Sequence, residues 1–357
     1  MANKANPKQP GIQDNSNDRP IIILGCARSG TTLTLLMLHS HPRIAIPPEN
    51  RFLLNLYRRR EKFGDLTDKK NRAELAKWII DRKANRFEDL QLDAEKVRQM
   101  IIDGPPTIGS AAGIIFREYA AKHGKPRWGD KRPNYIREIN TILEIFPDAQ
   151  IIHCIRDGRD AAASLKKMPW WGKSFRATIY KWVESIEAGN KARASLRPDQ
   201  YYELIYEKLV ADPEAELRSL CKFLGEEFHP AMLEHHKTTK AAIPQKYLDA
   251  HYNRTQNEVD TKAVGKWAGE LTPEQLALME AVAAEQLLQY NYALSGSDVI
   301  PAKEKLKRYY QYAERGQKRA KENRKHSKKI AGKYKPPVQA LLTTNQLKIY
   351  QDSKNKN

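Results

Sequence analysis

The sequence predicts an α/β fold in which a doubly wound parallel sheet is flanked by helices, with a basic helical extension at the C-terminus. Three short runs, RPIIILG, IIHCI and QYYELIY, are rich in β-branched, aromatic and other apolar residues. The first two have apolar residues at successive positions, which is typical of central strands buried on both faces of a parallel sheet. Helical segments separate the runs, and this alternation favours the doubly wound fold.

The first half of the chain contains one buried strand followed by mostly helical sequence. After RPIIILG, apolar residues at helical spacing predict a helix from Thr31, which ends near Pro42. Residues 50–123 are mostly helical, with breaks at KFGDLTD and DGPPTIG. KPRWGDKRPNY is then predicted to be a short strand and loop, and IREINTILEIF a helix.

The second half repeats the alternation of strands and helices. IIHCI is a predicted strand, RDGRDAAASLKKM a helix, SFRATIYKWVESIEAGNKARA a long amphipathic helix, and QYYELIY a strand that ends at Tyr206. Two further helices carry N-terminal signals. Asp212 is a predicted N-cap followed by Pro213, and Thr272 forms a predicted capping box with Gln275.

The charge distribution separates a folded body from a basic tail. We expect a disordered segment over residues 1–18, a folded domain over residues 19–296, and a helical or partly disordered tail over residues 297–357. Of the net charge of +19, residues 301–357 carry +13, from 17 Lys/Arg against 4 Asp/Glu. The tail could bind an anionic membrane or an acidic partner, or form a solvated helix packed lightly on the body, and nucleic acid is not the expected partner.

Cysteine and histidine spacing argues against disulfides and a metal site. Cys26, Cys154 and Cys221 each lie inside or beside an apolar run, as buried thiols in a reducing compartment do. The cysteines are isolated and His235 and His236 are adjacent, so no zinc-like spacing occurs and we expect no metal. The longest apolar runs are far shorter than the roughly 20 residues of a membrane span, and residues 1–18 lack an apolar signal core. These features predict a cytoplasmic location.

The loop GCARSGTT is P-loop-like. Gly25 and Gly30 are five residues apart, between a buried strand and a helix, where backbone N–H groups converge on an anion. The Walker lysine is replaced by Thr31, although Arg28 places a cation in the loop. Enzymes that use nucleoside triphosphates need that lysine and Mg²⁺ to neutralise the charge on the β- and γ-phosphates. A sulfuryl group bonded to a phosphate carries one fewer negative charge and would need less of both. The alternative is a glycine turn that only connects a strand to a helix.

Two motifs resemble those of sulfotransferases that use 3′-phosphoadenosine 5′-phosphosulfate (PAPS). LGCARSGTTL resembles their 5′-phosphosulfate-binding loop and IRDGRDAAASL their 3′-phosphate-binding segment, and the similarity covers about residues 19–292. The motifs are most similar to those of bacterial sulfotransferases and of the tyrosylprotein branch. The resemblance implies a PAPS-dependent sulfotransferase that acts without a metal on a hydroxyl of a glycan, lipid, peptide or secondary metabolite. A catalytically inactive nucleotide-binding scaffold and, less favoured, a P-loop kinase are the alternatives.

The resemblance implies the residues that bind PAPS. Those that would wrap the 5′-phosphosulfate are Arg28, Ser29, Gly30, Thr31 and Thr32. Arg156 and Ser164 would hold the 3′-phosphate, and Tyr206 would lie near adenine. Otherwise, Arg156 belongs to a surface ion-pair cluster and Tyr206 to the core. The tyrosylprotein branch has a serine just before its KW pair, where this chain has Gly265, so the N–H of Gly265 or the side chain of Lys266 would have to replace that contact.

The resemblance also implies catalytic residues. Glu49 lies 21 residues after Arg28, where the tyrosylprotein branch has its catalytic glutamate, and would accept the proton of the acceptor. Lys131 would stabilise charge at the bridging oxygen of the transition state, and Arg28 would assist it. The alternatives are a helix-starting acid for Glu49 and a charged loop for Lys131. His39 and His41 rank below Glu49 as candidate bases.

Overall fold

Five parallel strands form one sheet in the described part of the protein. A computed structural model describes residues 19–242, 253–329, 336–342 and 346, so the predicted disordered segment 1–18 and the remainder of the tail lie outside the described residues. The strand order is β2-β3-β1-β4-β5. The strands are β1 (Ile21–Gly25), β2 (Ile44–Ala45), β3 (Arg127–Lys131), β4 (Gln150–Ile155) and β5 (Tyr201–Ile205).

Helices cover both faces of the sheet. Those before β4 are α1 (Thr31–Ser40), α2 (Leu53–Arg59), α3 (Lys69–Ile80), α4 (Ala94–Asp103), α5 (Ile108–Lys122) and α6 (Ile139–Ile145). Those between β4 and the end of α11 are α7 (Gly158–Lys166), α8 (Phe175–Ser195), α9 (Tyr206–Ala211), α10 (Pro213–Leu224) and α11 (His235–Ala242). The last are α12 (Trp267–Glu270), α13 (Pro273–Gln289) and α14 (Lys303–Lys329).

Strand β1 belongs to two apolar clusters, one on each face of the sheet. Ile22 and Leu24 pack with residues of α2 to α6. Ile21 and Ile23 pack with residues of α1 and α10. Successive side chains of a strand point to opposite faces, so a strand in the middle layer must be apolar throughout. The sheet, covered on both faces, confirms the predicted doubly wound α/β fold.

The carboxyl ends of the strands bring the motif-bearing loops together. Strand β1 lies between β3 and β4, with Ile23 opposite Lys131 and Gly25 opposite Cys154. In open α/β sheets ligands bind at this edge, where the strand order switches direction. Gly25 has a φ of 146°, and a Cβ there would lie 2.4 Å from the carbonyl oxygen of Cys154. Only glycine fits where the chain leaves β1 for the loop.

Two elements differ from the sequence-based expectations. Strand β2 (Ile44–Ala45) was not predicted, because two residues are too few to show a period of two. Strand β5 ends at Ile205, so Tyr206 begins helix α9 instead of ending the strand. The predicted N-caps at Asp212 and Thr272 are both confirmed.

The described part of the C-terminal tail packs on the domain. The predicted tail helix is observed as α14, in which Tyr309 is buried and the Tyr312 ring lies 5.7 Å from that of Tyr180 on α8. Further along, the carbonyl of Val338 accepts a hydrogen bond from the N–H of Gly109, and Leu342 joins an apolar cluster. The tail therefore adds apolar contacts to the body as well as charge.

Candidate active site

The loop between β1 and α1 adopts the backbone conformation of an anion cradle. Helix α1 begins at Thr31, so its first N–H groups point out of the helix toward the loop. Gly30 has a φ of 88° and Arg28 a φ of 73°. Left-handed backbone at a non-glycine residue is strained and occurs mostly where function requires it. The positive end of the α1 dipole and the N–H groups favour an anion at this position.

Side chains of α7 and β4 tie the loop to the neighbouring strand. The Arg28 Nε donates a hydrogen bond to the Ser164 Oγ at 3.0 Å. Arg156, which follows β4, donates through Nη1 to the carbonyl of Arg28 at 3.1 Å. The two predicted phosphate-binding segments are therefore in direct contact.

Two buried polar atoms of the site have no hydrogen-bond partner within the described residues. They are the Oγ of Ser29 and the Nε of Arg156. Buried donors without partners are costly in a folded protein unless a ligand or water satisfies them. Ser29 is buried and does not line the adjoining cavity, whereas Arg156 does.

Arg156 is held by contacts on several sides. Its Nη2 donates to the carbonyl of Ala263 at 2.5 Å and lies 3.6 Å from the Asp160 carboxylate. Its guanidinium lies over the Tyr206 ring at 4.7 Å, within cation–π range. A Cβ on Gly30 would lie 2.6 Å from Tyr206 Cδ2, so the tyrosine ring packs directly on the loop. Tyr206 thus links the cradle to Arg156.

Asp160 organises the segment that leads into α12. Its carboxylate accepts hydrogen bonds from the N–H groups of Gly265 at 2.8 Å and Trp267 at 2.9 Å. Burial raises the pKa of Asp160, and the nearby Arg156 charge opposes that shift. The Gly265 N–H is thus already engaged by Asp160, while Lys266 lines the cavity. Of the two suggested replacements for the family serine, only the lysine faces the ligand space.

A cavity of about 390 Å³ connects these residues. This size is within the usual range for small-molecule sites. Its lining includes most of the residues predicted to bind a nucleotide, namely Arg28, Gly30, Thr31, Thr32, Arg156, Ser164, Tyr206 and Lys266.

Lys131 joins the phosphate loop to Glu49. Its Nζ lies 3.2 Å from the Glu49 Oε2 and donates to the Thr32 Oγ1 at 3.4 Å. The lysine is 2% exposed, so its charge acts in a largely desolvated position. Residues that are 82 and 99 positions apart in sequence are therefore brought together at the edge of the cradle.

Electrostatics keep Glu49 ionised. Burial raises the pKa of the carboxyl, but the charge of Lys131 and its hydrogen bond lower it, with further contributions from Arg132 and Arg86. The net pKa lies below the usual value of a glutamate. The carboxyl is therefore ionised at physiological pH, which leaves it free to accept a proton, and the lowered pKa makes it a weaker base than an ordinary glutamate.

A buried hydrogen-bond cluster that the sequence did not reveal fixes the segment carrying Glu49. The Asp130 carboxylate accepts from the Asn50 Nδ2 at 2.7 Å and from the Tyr135 hydroxyl at 2.6 Å. Burial raises the pKa of Asp130 to about 6. Because Asn50 follows Glu49 and Asp130 precedes Lys131, the cluster fixes the relative position of both candidate catalytic residues. The only local sequence feature that points to this cluster is the acidic residue beside a lysine in WGDK.

The nearby histidines have structural hydrogen bonds. His39 Nδ1 accepts from the N–H of Ile46, and burial lowers the pKa of His39 to about 3. His41 Nδ1 accepts from the N–H of Arg43, and its Nε2 donates to the carbonyl of Glu227. These hydrogen bonds engage three of the four ring nitrogens of the two histidines, which are then not available to take a proton from an acceptor. They support the preference for Glu49 as the base.

The remaining sequence-based expectations concern metals, thiols and membranes. Over residues 19–242, 253–329 and 336–342, no group of three or more His, Cys, Asp or Glu side chains is arranged to hold a metal ion. All three cysteines are buried and unpaired, and burial raises the pKa of each thiol. None of the helices in the described part is long and apolar enough to span a bilayer.

The fold and the site define a class of α/β proteins that have a P-loop-like loop after the first strand but lack the Walker lysine. A model described as the sulfotransferase family matches residues 20–230, and the chain belongs to this family. The resemblance read from the sequence motifs is thereby confirmed at the family level.

Individual relatives have low sequence identity to this chain. A protein-tyrosine sulfotransferase of Drosophila melanogaster is 26% identical over 282 residues, which cover 76% of this chain and 52% of the relative. Protein-tyrosine sulfotransferase 1 of Danio rerio is 26% identical over 78% of this chain and 73% of its own length. The chain thus spans about half the length of the Drosophila relative.

Solved structures share the fold. The sulfotransferase domain of a Synechococcus olefin synthase superposes with a TM-score of 0.54 at 24% identity, covering 79% of this chain and 98% of that domain. A sulfotransferase domain from the curacin biosynthetic pathway superposes with a TM-score of 0.52 at 22% identity. The superposition covers 77% of this chain and 98% of that domain.

Proposed function

We propose that this protein transfers the sulfuryl group of PAPS to a hydroxyl of an acceptor, with Glu49 as the base. One observation carries the proposal. Lys131 contacts both Thr32 of the phosphate loop and the Glu49 carboxylate. A cation at that position lies between an anion cradle and a proton acceptor, as a transfer between two oxygens requires.

The cavity offers groups suited to both ends of the nucleotide. The cradle and Arg28 would bind the 5′-phosphosulfate, whereas the buried Ser29 side chain does not line the cavity. Arg156 and Ser164 would bind the 3′-phosphate, because the unpartnered Arg156 Nε can still donate a hydrogen bond to a phosphate oxygen. Lys266, which also lines the cavity, would supply a further positive charge.

The residues of the site have separate tasks. Bound PAPS would supply an activated sulfuryl group, whose bond to the 5′-phosphate breaks as the acceptor oxygen bonds to sulfur, giving a sulfate ester and adenosine 3′,5′-bisphosphate. Glu49 takes the proton of the acceptor hydroxyl. Lys131 and Arg28 stabilise the negative charge on the departing phosphate, and no reorganisation is needed because they are fixed in advance.

Several expectations from the sequence remain part of the proposal. The acceptor is a hydroxyl compound of the glycan, lipid, peptide or secondary-metabolite classes, and the relatives named as protein-tyrosine sulfotransferases favour peptides among these. The reaction is proposed to proceed without a metal. A cytoplasmic location, a domain over residues 19–296 and an anionic membrane or acidic partner for the tail stay predictions.

Nucleotide binding tests the proposal directly. Adenosine 3′,5′-bisphosphate should bind the full-length protein without Mg²⁺ in isothermal titration calorimetry. Arg156→Ala should weaken binding by roughly 10- to 100-fold, because charge-assisted hydrogen bonds to a phosphate are lost. Arg218→Ala, which removes an exposed arginine of α10, is the matched control and should bind as the wild type does. Mg²⁺-dependent binding of ATP in place of the bisphosphate would support a kinase instead.

The acceptor is then found by activity. A screen that measures PAPS consumption against pooled phenols, tyrosine peptides, glycans and lipids should identify at least one pool that is turned over. Bisphosphate binding without turnover in any pool would favour the alternative of a nucleotide-binding scaffold.

A further inference from the structure

His235 has an unusual environment in the wall of the nucleotide cavity. The side chain is 1% exposed, and neither ring nitrogen has a hydrogen-bond partner within the described residues. It nevertheless lines the cavity. Burying an imidazole without partners destabilises a fold, so a ligand that satisfies the ring would explain its presence.

The protonation state of His235 suits a neutral ligand edge. Burial, and then the neighbouring His236, lower the pKa of His235 to about 4, and the backbone of Leu233 opposes the shift. The ring is therefore neutral at physiological pH, with one nitrogen a donor and the other an acceptor. A neutral ring is poorly suited to a phosphate and well suited to the mixed donor and acceptor edge of a purine.

The surroundings of His235 differ from those of the phosphate-binding residues. The cationic residues of the cavity wall are Arg28, Arg156, Lys167 and Lys266, and its acidic residues are Asp160, Glu258, Asp260 and Glu270. His235 begins α11, which is held against α1 by a 2.6 Å hydrogen bond between Thr238 and Ser40. The lining also includes the apolar residues Leu33 and Val259, which pack with the α1 and α10 cluster. Apolar residues beside a few polar groups are the usual composition of a small-molecule site.

We propose that His235 binds the nucleobase of the nucleotide through a hydrogen bond from its ring. The inference rests on the proposed function, since it assumes a purine nucleotide in this cavity. His235 is then a binding residue that no sequence motif marks, because its role depends on how α11 packs against α1.

The test separates the base from the phosphates. Full-length protein is titrated with adenosine 3′,5′-bisphosphate and with the abasic tetrahydrofuran 3′,5′-bisphosphate. His235→Leu should weaken binding of the adenosine compound about 5- to 10-fold, the loss of one hydrogen bond, and change that of the abasic compound less than about twofold. Arg156→Ala should weaken both. His236→Leu is the matched control and should change neither.

Thermal unfolding without ligand gives a second measurement. The substitution that weakens nucleotide binding is not expected to lower the stability of the protein. His235→Leu should leave the melting temperature unchanged or raise it by about 2–4 °C, because it removes a buried polar group without a partner. His235→Phe provides a second variant that keeps a ring, and His235→Gln should recover part of the base-dependent affinity. Collapse of the Leu and Phe variants would contradict the inference, since it would show a structural role.

The outcomes distinguish this inference from the proposed function. If wild-type protein binds neither compound, the proposed function fails and the inference falls with it. If wild-type protein binds the adenosine compound and the His235 variants lose both compounds equally, or lose neither, only the inference is wrong.

Discussion

Glu49→Gln is expected to lower turnover of the acceptor by about 100- to 10,000-fold while leaving affinity for adenosine 3′,5′-bisphosphate within about twofold. The amide keeps the shape of the side chain but cannot accept the proton of the acceptor hydroxyl. The measurement is steady-state sulfate transfer with the acceptor found by the PAPS screen, together with calorimetric titration of the bisphosphate. Binding should survive because, among the described residues, Glu49 is joined to the nucleotide cradle through Lys131.

An exposed glutamate supplies the control for this variant. Glu74 lies on the exposed face of α3, and Glu74→Gln should have wild-type turnover. If Glu49→Gln retains more than about a tenth of wild-type turnover, Glu49 is not the base and the acceptor proton leaves by another route.

Lys131→Met should lower kcat by about 100- to 1,000-fold, the usual cost of removing one preorganised group that stabilises developing charge. Methionine keeps most of the length and apolar stem of lysine, so the loss reports on the charge. Lys77→Met, on an exposed face of α3, is the matched control and should be fully active. Wild-type kcat in Lys131→Met would exclude the assigned role.

The same variant should also change the pH dependence of the reaction. Lys131 provides the largest contribution that lowers the Glu49 pKa, whereas burial raises it. Without the lysine, burial dominates and the Glu49 pKa rises. Because activity is lost as the pH falls through the pKa of the base, the acidic limb of the kcat/KM profile should move to higher pH in Lys131→Met. An unchanged acidic limb would show that Glu49 does not control it.

The features that could be predicted from sequence are those with local physical causes. An apolar run that is buried on both faces predicts β1, and the glycines after it predict a cradle, because backbone conformation depends mainly on adjacent residues. The caps at Asp212 and Thr272 were predicted for the same reason. Two elements had no such signal: β2 is too short to show periodicity, and Tyr206 carries the composition of a strand but begins a helix.

Only part of the candidate site could be predicted from the sequence. Its motifs identified Arg28, Arg156 and Lys131 through a family resemblance, but not how these residues contact one another. The Asp130 cluster that fixes Glu49 relative to Lys131 joins residues up to 80 positions apart, and its only local sequence feature is the acidic residue beside the lysine in WGDK. His235 was interpreted only as one of two adjacent histidines with no zinc-like spacing.

The sequence by itself determined the doubly wound sheet, the cradle after β1 and the absence of the Walker lysine, since each depends on residue type and short-range spacing. Only the tertiary structure decided that Lys131 lies between Thr32 and Glu49, that Asp160 engages the Gly265 N–H, and that His235 reaches the cavity. The physical reason is that hydrogen bonds and burial depend on distances in space, and the packing of β3, α7 and α11 around β1 sets those distances.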